Sequence, residues 1–424
     1  MTDWLARCLD EVDDRAAPMT ELLCSLVRSP SITGSDAEHE VQERLAGELA
    51  GIGLDIDHWE IPLDETVADE DFPGIEATRS EAWGLVARRS GASDGPALMF
   101  NAHIDVVPPG DLTSWRGDDP FSGHVVDDSV HGRGACDMKG GLVAALWAVA
   151  AIHHCGAPLR GDLLLACVES EEDGGLGTFA TLRRGWRADA CVIPEPTSLD
   201  LMPASAGALT FRLQVPGLAA HGSRRTEGVS ALDKLVPVLT ALRALEARRN
   251  VAVDPLMRRW PIAYPISIGR VSGGVWPSSV PDLITADGRY GVALDESPLD
   301  ARRDLEIAVV EACAADPWLR DHPVEIQWWG GQFGPGRLPA DSDLLERMRR
   351  AHTTVAGGRR QETWGTPYGS DLRLLTAAGI PTLNYGPGDG SLAHAPNEAV
   401  PLAEVRTAAR ALTALALDIC GLAD

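Results

Sequence analysis

The sequence predicts an α/β protein with a smaller α+β domain set inside it, and three observations carry that prediction. Short apolar runs bounded by turn residues alternate with stretches of helical length along most of the chain. The middle of the chain behaves differently: there apolar and polar residues alternate singly, as in strands with one wet face. A length of 424 residues also exceeds one compact domain, so two or three are expected.

Taken in order, helical periodicity covers 3–27 and 38–51, where apolar residues recur at three- and four-residue steps and Gly51-Ile52-Gly53 supplies a stop. The acidic stretch 64–74 reads as a surface loop. Apolar runs at 97–101, 162–168, 190–193 and 380–383 read as strands of a central sheet, at least partly parallel. Helices at 140–153, 177–184 and 370–378 cover it. In the middle, ALTFRLQVPG, ISIGRVSGG, LITADGRYGVAL and VEIQWWGGQF alternate as strands, with helical patterns at 229–249 and 298–315 between them. That order is β-α-β-β-α-β. It places the first part of the larger domain at 1–204, the inserted domain at 205–333 and the return at 334–424.

Charge narrows the partners. With 37 Lys and Arg against 62 Asp and Glu, the formal charge of -25 repels phosphate backbones and acidic membrane surfaces, so neither nucleic acid nor a membrane is expected. The N-terminal MTDWLARCLDEVDD lacks the basic and apolar regions of an export signal. The longest apolar stretch, Gly141 to Ile152, is short for a bilayer span and reads as a buried helix. The 8 cysteines show no paired spacing, as expected of reduced thiols in a cytoplasmic protein without disulfides.

The chemistry begins in LLLACVESEEDGG, 163–175, where an apolar strand delivers Glu169, Glu171 and Glu172 to its own end. Like charges crowded at a buried edge require a neutralising partner. Other segments supply matching groups. ALMFNAHIDVVP ends a strand in His103 and Asp105, which share a face; GRGACDMKGG presents Asp137 on a glycine-rich turn before the buried helix; VIPEPTS offers Glu195, and SLAHAPNE offers His394. Each alone is an ordinary polar residue. Together they bring imidazoles and carboxylates toward one edge of an α/β sheet, where such sheets place ligands, and that donor set suits zinc.

These segments, HIDVVP, GRGACDMKGG, ESEEDGG, PEPT and AHAPNE in this order, resemble the M20 metallopeptidase family, the group of acetylornithine deacetylase, succinyl-diaminopimelate desuccinylase and carboxypeptidase G2. The resemblance covers nearly the whole chain and implies a zinc-peptidase-like catalytic domain with a mixed sheet, plus an inserted dimerisation or lid domain. It implies two zinc ions per subunit, with cobalt or manganese as substitutes, bridged by Asp137. One ion is held by His103 and Glu195, the other by Glu172 and His394. Asp105 then orients the His103 ring, and Glu171 is the general base that moves a proton from the attacking water to the leaving amine. The peptide bond after Asp137 is expected to be cis. His221 in GLAAHGS matches the family's histidine that stabilises the oxyanion, and in dimeric members that loop reaches the partner's active site.

Substrate identity is less legible. Arg289 in ADGRYGV and Arg373 in YGSDLRLL are candidates for fixing a substrate carboxylate, and each has a neighbouring acid, Asp287 or Asp371, as its alternative partner. GGVWPSSVPD carries Ser278 and Ser279 where desuccinylase-like members tend to have Asn. Trp276, Trp328 and Trp329 are candidates for lining an acyl pocket or for ordinary packing. The expected activity is metal-dependent hydrolysis of an amide in a small N-acyl amino acid or N-acyl amine. A dipeptidase or carboxypeptidase is the alternative within the family. A catalytically inactive binding protein is the alternative outside it, and the presence of Glu171 argues against that.

Overall fold

The computed structural model describes residues 2–357 and 360–423. The chain divides into two compact units, one comprising 1–204, 337–364 and 370–424, the other 205–336 and 365–369.

The first unit is built on a mixed sheet. Its strands run in the spatial order Asp55–Glu60, Trp83–Arg89, Leu163–Val168, Leu98–His103, Ala190–Ile193, Thr382–Asn384 and Leu201–Ser205. The middle four are parallel to one another, and the strands flanking them are antiparallel. Helices cover both faces of the parallel strands, so every residue of Leu163–Val168 and Leu98–His103 is buried; Leu163–Val168 is continuously apolar, and the one polar residue within Leu98–Ala102, Asn101, bonds Thr178 Oγ1 at 2.8 Å. The edge pair Asp55–Glu60 and Trp83–Arg89 was not foreseen, because DIDHWE is half exposed and has no apolar run.

The helix Gly140–His154 lies at the centre, with Gly140 through Ile152 all buried. A helix wrapped by protein on all sides needs no polar face, which explains its uniform apolarity. The window Ala135–His154 is long and apolar enough to cross a membrane by composition, yet 94% of it is buried inside the protein. Gly141 permits a close approach here. A Cβ on it would lie 1.8 Å from the Pro194 carbonyl oxygen, so only glycine lets this helix rest against the strand end that carries Glu195.

At the N-terminus the expected single helix is two, Thr2–Asp14 and Ala16–Val27, broken at Arg15. The acidic stretch expected to be a loop opens with a short helix, Leu63–Val67. A small sheet of His124–Val126, Ser129–His131 and Ala399–Pro401 joins distant parts of the chain. All 8 cysteines are free thiols.

The second unit follows the pattern β-α-β-β-α-β through Gly207–Pro216, Ala231–Arg249, Ile266–Gly273, Leu283–Val292, Pro298–Ala315 and Glu325–Phe333. Its sheet is antiparallel throughout, with Ile266–Gly273 and Glu325–Phe333 at the edges. Phe211, Leu213, Val215, Ala286 and Tyr290 form its core with Leu235, Val238, Leu242, Leu305 and Val309 of the two helices. On the other face, Arg212 and Arg270 both bond Asp287. The tryptophans divide: Trp328 packs on the core and Trp329 lies under Arg212, whereas Trp276 is 69% exposed.

This unit does not end at 333, and it recovers a segment assigned above to the return of the larger domain. Residues 365–369 belong to it because their backbone is bonded there: Trp260 Nε1 donates to Gly365 O at 2.7 Å, Ala206 N to Thr366 O at 2.9 Å and Arg289 Nη2 to Pro367 O at 2.9 Å.

Candidate metal centre

The parallel strands deliver the site. His103 ends its strand, Glu171 and Glu172 sit on the turn after Leu163–Val168, Glu195 lies two residues past Ala190–Ile193, and His394 is on the loop that follows Thr382–Asn384. Strands that are parallel neighbours point their C-terminal ends the same way, so four separate segments converge on one edge. Asp137 enters from the turn before the central helix, and the Asp137–Met138 peptide bond is cis.

Asp137 stands between the two histidines. Its Oδ1 is 3.2 Å from His103 Nε2 and its Oδ2 is 3.6 Å from His394 Nε2, so each carboxylate oxygen faces a different imidazole. His394 Nε2 also lies 3.0 Å from Glu172 Oε2. Ligand atoms of His103, Glu171 and Glu195 lie within 4.8 Å of one another, as do those of His103, Asp137 and Glu172.

Asp105 works in two directions. Its backbone carbonyl meets His103 Nδ1 at 2.9 Å, closer than its carboxylate at 3.6 Å, so the main chain sets the ring. The carboxylate instead accepts from the backbone N–H groups of Glu171 (3.1 Å) and Glu172 (3.2 Å) and from Thr33 Oγ1 (2.9 Å). It thereby holds the turn that aims both glutamates. Glu169 leaves the cluster: it accepts from Trp83 N at 3.0 Å, and burial pushes its carboxyl up to about 8.

Further groups brace this turn. Glu38 accepts from Ser170 N at 3.2 Å, Asp173 accepts from Ala77 N at 2.8 Å, and Arg79 pairs with both acids. Arg373 donates to Gly174 O at 2.6 Å and Ser370 O at 3.0 Å and lies 3.6 Å from Asp371. Sequence reading missed Glu38, because an acid in the first turn of a helix is ordinary, and Arg79, which lies in no recognisable motif. Asp173 was visible within SEEDGG.

The charges fit a cation. Burial first, then Asp371, Glu195 and Glu172, push the Glu171 carboxyl well above its usual range; burial and Asp137 do the same to Glu195. Burial opposes charge on His103, but Asp137, Glu195 and Asp105 raise its pKa well above the imidazole value. Glu172 is the main cause raising His394 to about 9. Protein atoms alone thus relieve this crowding only by retaining protons, and divalent ions would relieve it directly. Glu171 Oε1 is buried without a hydrogen-bond partner among the described residues. The residues therefore fit a metal pair, with His103, Glu195 and Asp137 around one ion and Asp137, Glu172 and His394 around the other.

The remaining candidates lie in the second unit. His221 is exposed, and its Nδ1 accepts from Ser223 N at 3.2 Å. Ser223 Oγ also lies 2.8 Å from this nitrogen, and with both groups donating to it the neutral ring would carry its proton on Nε2. Arg289 has no carboxylate partner among the described residues, and burial lowers its pKa to about 10; Asp287 beside it is taken by Arg212 and Arg270.

A sheet of this topology with this donor set at its C-terminal edge defines a metal-dependent amidohydrolase. The chain belongs to peptidase family M20/M25/M40, whose pattern matches residues 99–418. It is 27% identical over 435 residues to N-formyl-4-amino-5-aminomethyl-2-methylpyrimidine deformylase of Halalkalibacterium halodurans, covering 98% of this chain and 97% of that one. It is 29% identical over 395 residues to succinyl-diaminopimelate desuccinylase of Rhodospirillum centenum, covering 90% and 92%. The fold is also that of the di-peptidase Dug1p of Saccharomyces cerevisiae, with a TM-score of 0.79 at 16% identity over 99% of each chain.

Proposed function

We propose that this chain hydrolyses the amide of a small N-acylated amine or amino acid, using two zinc ions and Glu171 as the general base. The observation that carries the reading is the paired donor set around Asp137 with a buried, unpartnered carboxylate oxygen of Glu171 beside it. Bound there, the ions would supply Lewis acidity and ease the ionisation of water. Glu171 takes the proton of the attacking water and returns it to the departing amine. Asp105 keeps Glu171 in place through the 3.1 Å bond to its backbone N–H. The named relatives support an acyl group on an amine, one being a deformylase and the other a desuccinylase.

Arg289 supports a substrate with a carboxylate, because a partly buried guanidinium with no acid partner among the described residues is ready for an anion. The test is a panel of N-formyl, N-acetyl and N-succinyl amines with and without an α-carboxylate, together with dipeptides, read as free amine released by zinc-loaded protein. Arg289→Met is expected to raise KM for carboxylate-bearing substrates roughly 10- to 100-fold and to leave neutral amides unchanged, the worth of one charge-assisted contact. Equal effects on both classes would remove Arg289 from substrate recognition. Release from dipeptides alone would replace the deacylase with a peptidase.

The second unit is read as the dimerisation unit. Its edge strand Ile266–Gly273 is largely exposed, and pairing with the same strand of a second copy would satisfy that edge. In this reading His221 of the partner subunit donates from Nε2 to the developing oxyanion. Inactive His221→Ala and Glu171→Ala proteins, unfolded and refolded together, should regain about a quarter of wild-type activity. Half the dimers are then mixed, each with one complete site of two. No recovery in a dimer confirmed by light scattering would place His221 in its own subunit's chemistry or in none.

A further inference from the structure

Two buried charged residues outside the donor set touch both ends of the candidate centre. Arg133 is 2% exposed and Glu398 is fully buried, and Arg133 Nη1 lies 2.7 Å from Glu398 Oε2. The other carboxylate oxygen, Oε1, accepts from Cys136 N at 2.8 Å and from Asp137 N at 3.0 Å. On the far side of the pair, Arg133 Nη2 donates to His394 O at 3.1 Å and Nη1 to Ala395 O at 3.3 Å. One ion pair thus grips the main chain of Asp137 and the main chain of His394.

The surrounding fold fixes the pair rather than merely enclosing it. Gly132 N donates to Glu398 O at 2.9 Å, and the adjoining strands Ser129–His131 and Ala399–Pro401 pair in register, Ser129 opposite Pro401 and His131 opposite Ala399. Arg133 also lies over the Trp115 ring, 5.1 Å from its centroid. On the other side, His394 and Asn397 both have positive φ, 61° each, a left-handed conformation that few residues other than glycine adopt, and the Arg133 bonds to His394 O and Ala395 O lie within this stretch. Among the described residues no ion pair grips the main chain of His103 or Glu195 in this way.

We propose that Arg133 and Glu398 are positioning residues that set the spacing between Asp137 and His394, and so govern the second metal position, that of Asp137, Glu172 and His394, more strongly than the first, which shares only Asp137 with it. This rests on the two-metal reading above. The pair touches no substrate; it acts through the two ligand loops. Groups standing behind metal ligands typically change metal affinity by about 10- to 100-fold when altered.

The test is zinc titration of full-length protein against a chromogenic chelator, with bound zinc counted by elemental analysis. Wild type should hold two ions. Glu398→Gln keeps an oxygen for the two amides but sets an NH2 group against Arg133, so it should weaken the second ion about 10- to 100-fold and the first, which depends on Asp137 but not on His394, distinctly less. Arg133→Lys keeps charge and bulk and loses the planar reach to His394 O, so it should do the same while being the variant most certain to fold. The double variant Arg133→Gln, Glu398→Gln restores donor-to-acceptor pairing and should recover part of the loss, a coupling that simple loss of stability would not show. Thermal melts of the metal-free proteins monitor folding separately. Wild-type affinity for both ions in Glu398→Gln and Arg133→Lys, or equal loss of both ions, overturns the assignment. A wild-type protein that binds fewer than two zinc ions overturns the reading beneath it instead.

Discussion

Glu171→Gln is expected to lower kcat by roughly a hundredfold or more while the protein keeps its full metal content. Glutamine has the same shape, and the Asp105 carboxylate still receives the backbone N–H of residue 171, so the turn stays in place. What disappears is the group able to take and return a proton. Glu172→Gln behaves otherwise, although the two are neighbours on one turn. Glu172 faces His394 at 3.0 Å, and its change should cost one ion rather than the proton path. Initial rates and elemental analysis of both proteins distinguish the roles. Equal metal loss in the two variants, or an active Glu171→Gln protein, would show the pair to be assigned the wrong way round.

Removal of metal should abolish turnover, and on the proposed reading zinc, cobalt or manganese should restore it. Asp137→Asn goes further, because each of its two carboxylate oxygens faces a different histidine. An amide presents one oxygen and one NH2 group, so at least one ion loses its shared ligand and the negative charge between the two positions is gone. Activity should fall to background and should not return at zinc concentrations that saturate the wild type. Full turnover by protein shown to be metal-free, or an Asp137→Asn protein with wild-type zinc content, would refute the arrangement.

The strands and helices that could be read from the sequence are those whose environment is uniform. Leu163–Val168 is buried on both faces and Pro298–Ala315 on one, and each announces itself by composition or period. Asp55–Glu60 could not be read, since its partner Trp83–Arg89 is remote in sequence and supplies what its own residues lack. His103, Glu171, Glu172 and Glu195 were legible because each follows an apolar run, which places it at a strand end without knowledge of the fold, whereas Asp137 and His394 stood out only through the segments GRGACDMKGG and AHAPNE. The bracing groups were not: Glu38 and Arg79 matter through contacts with Ser170 and Asp173, and long-range contacts leave no local pattern. Arg373 was visible as a residue, but its commitment to Gly174 O was not, and Asp287 turned out to serve two other arginines rather than Arg289.

The short segment 365–369 has a bearing on modularity. The chain passes between its two units four times, at 204/205, 336/337, 364/365 and 369/370, so the second unit is not one contiguous cassette. A fragment cut at 205 and 336 would carry Trp260 without Gly365 and Arg289 without Pro367, leaving open seams where backbone carbonyls now sit. Exchange of this unit between relatives, whether by recombination or by hand, must therefore carry two pieces of sequence. A graft that moves the long piece alone transplants the arginine but not the acceptor that holds it.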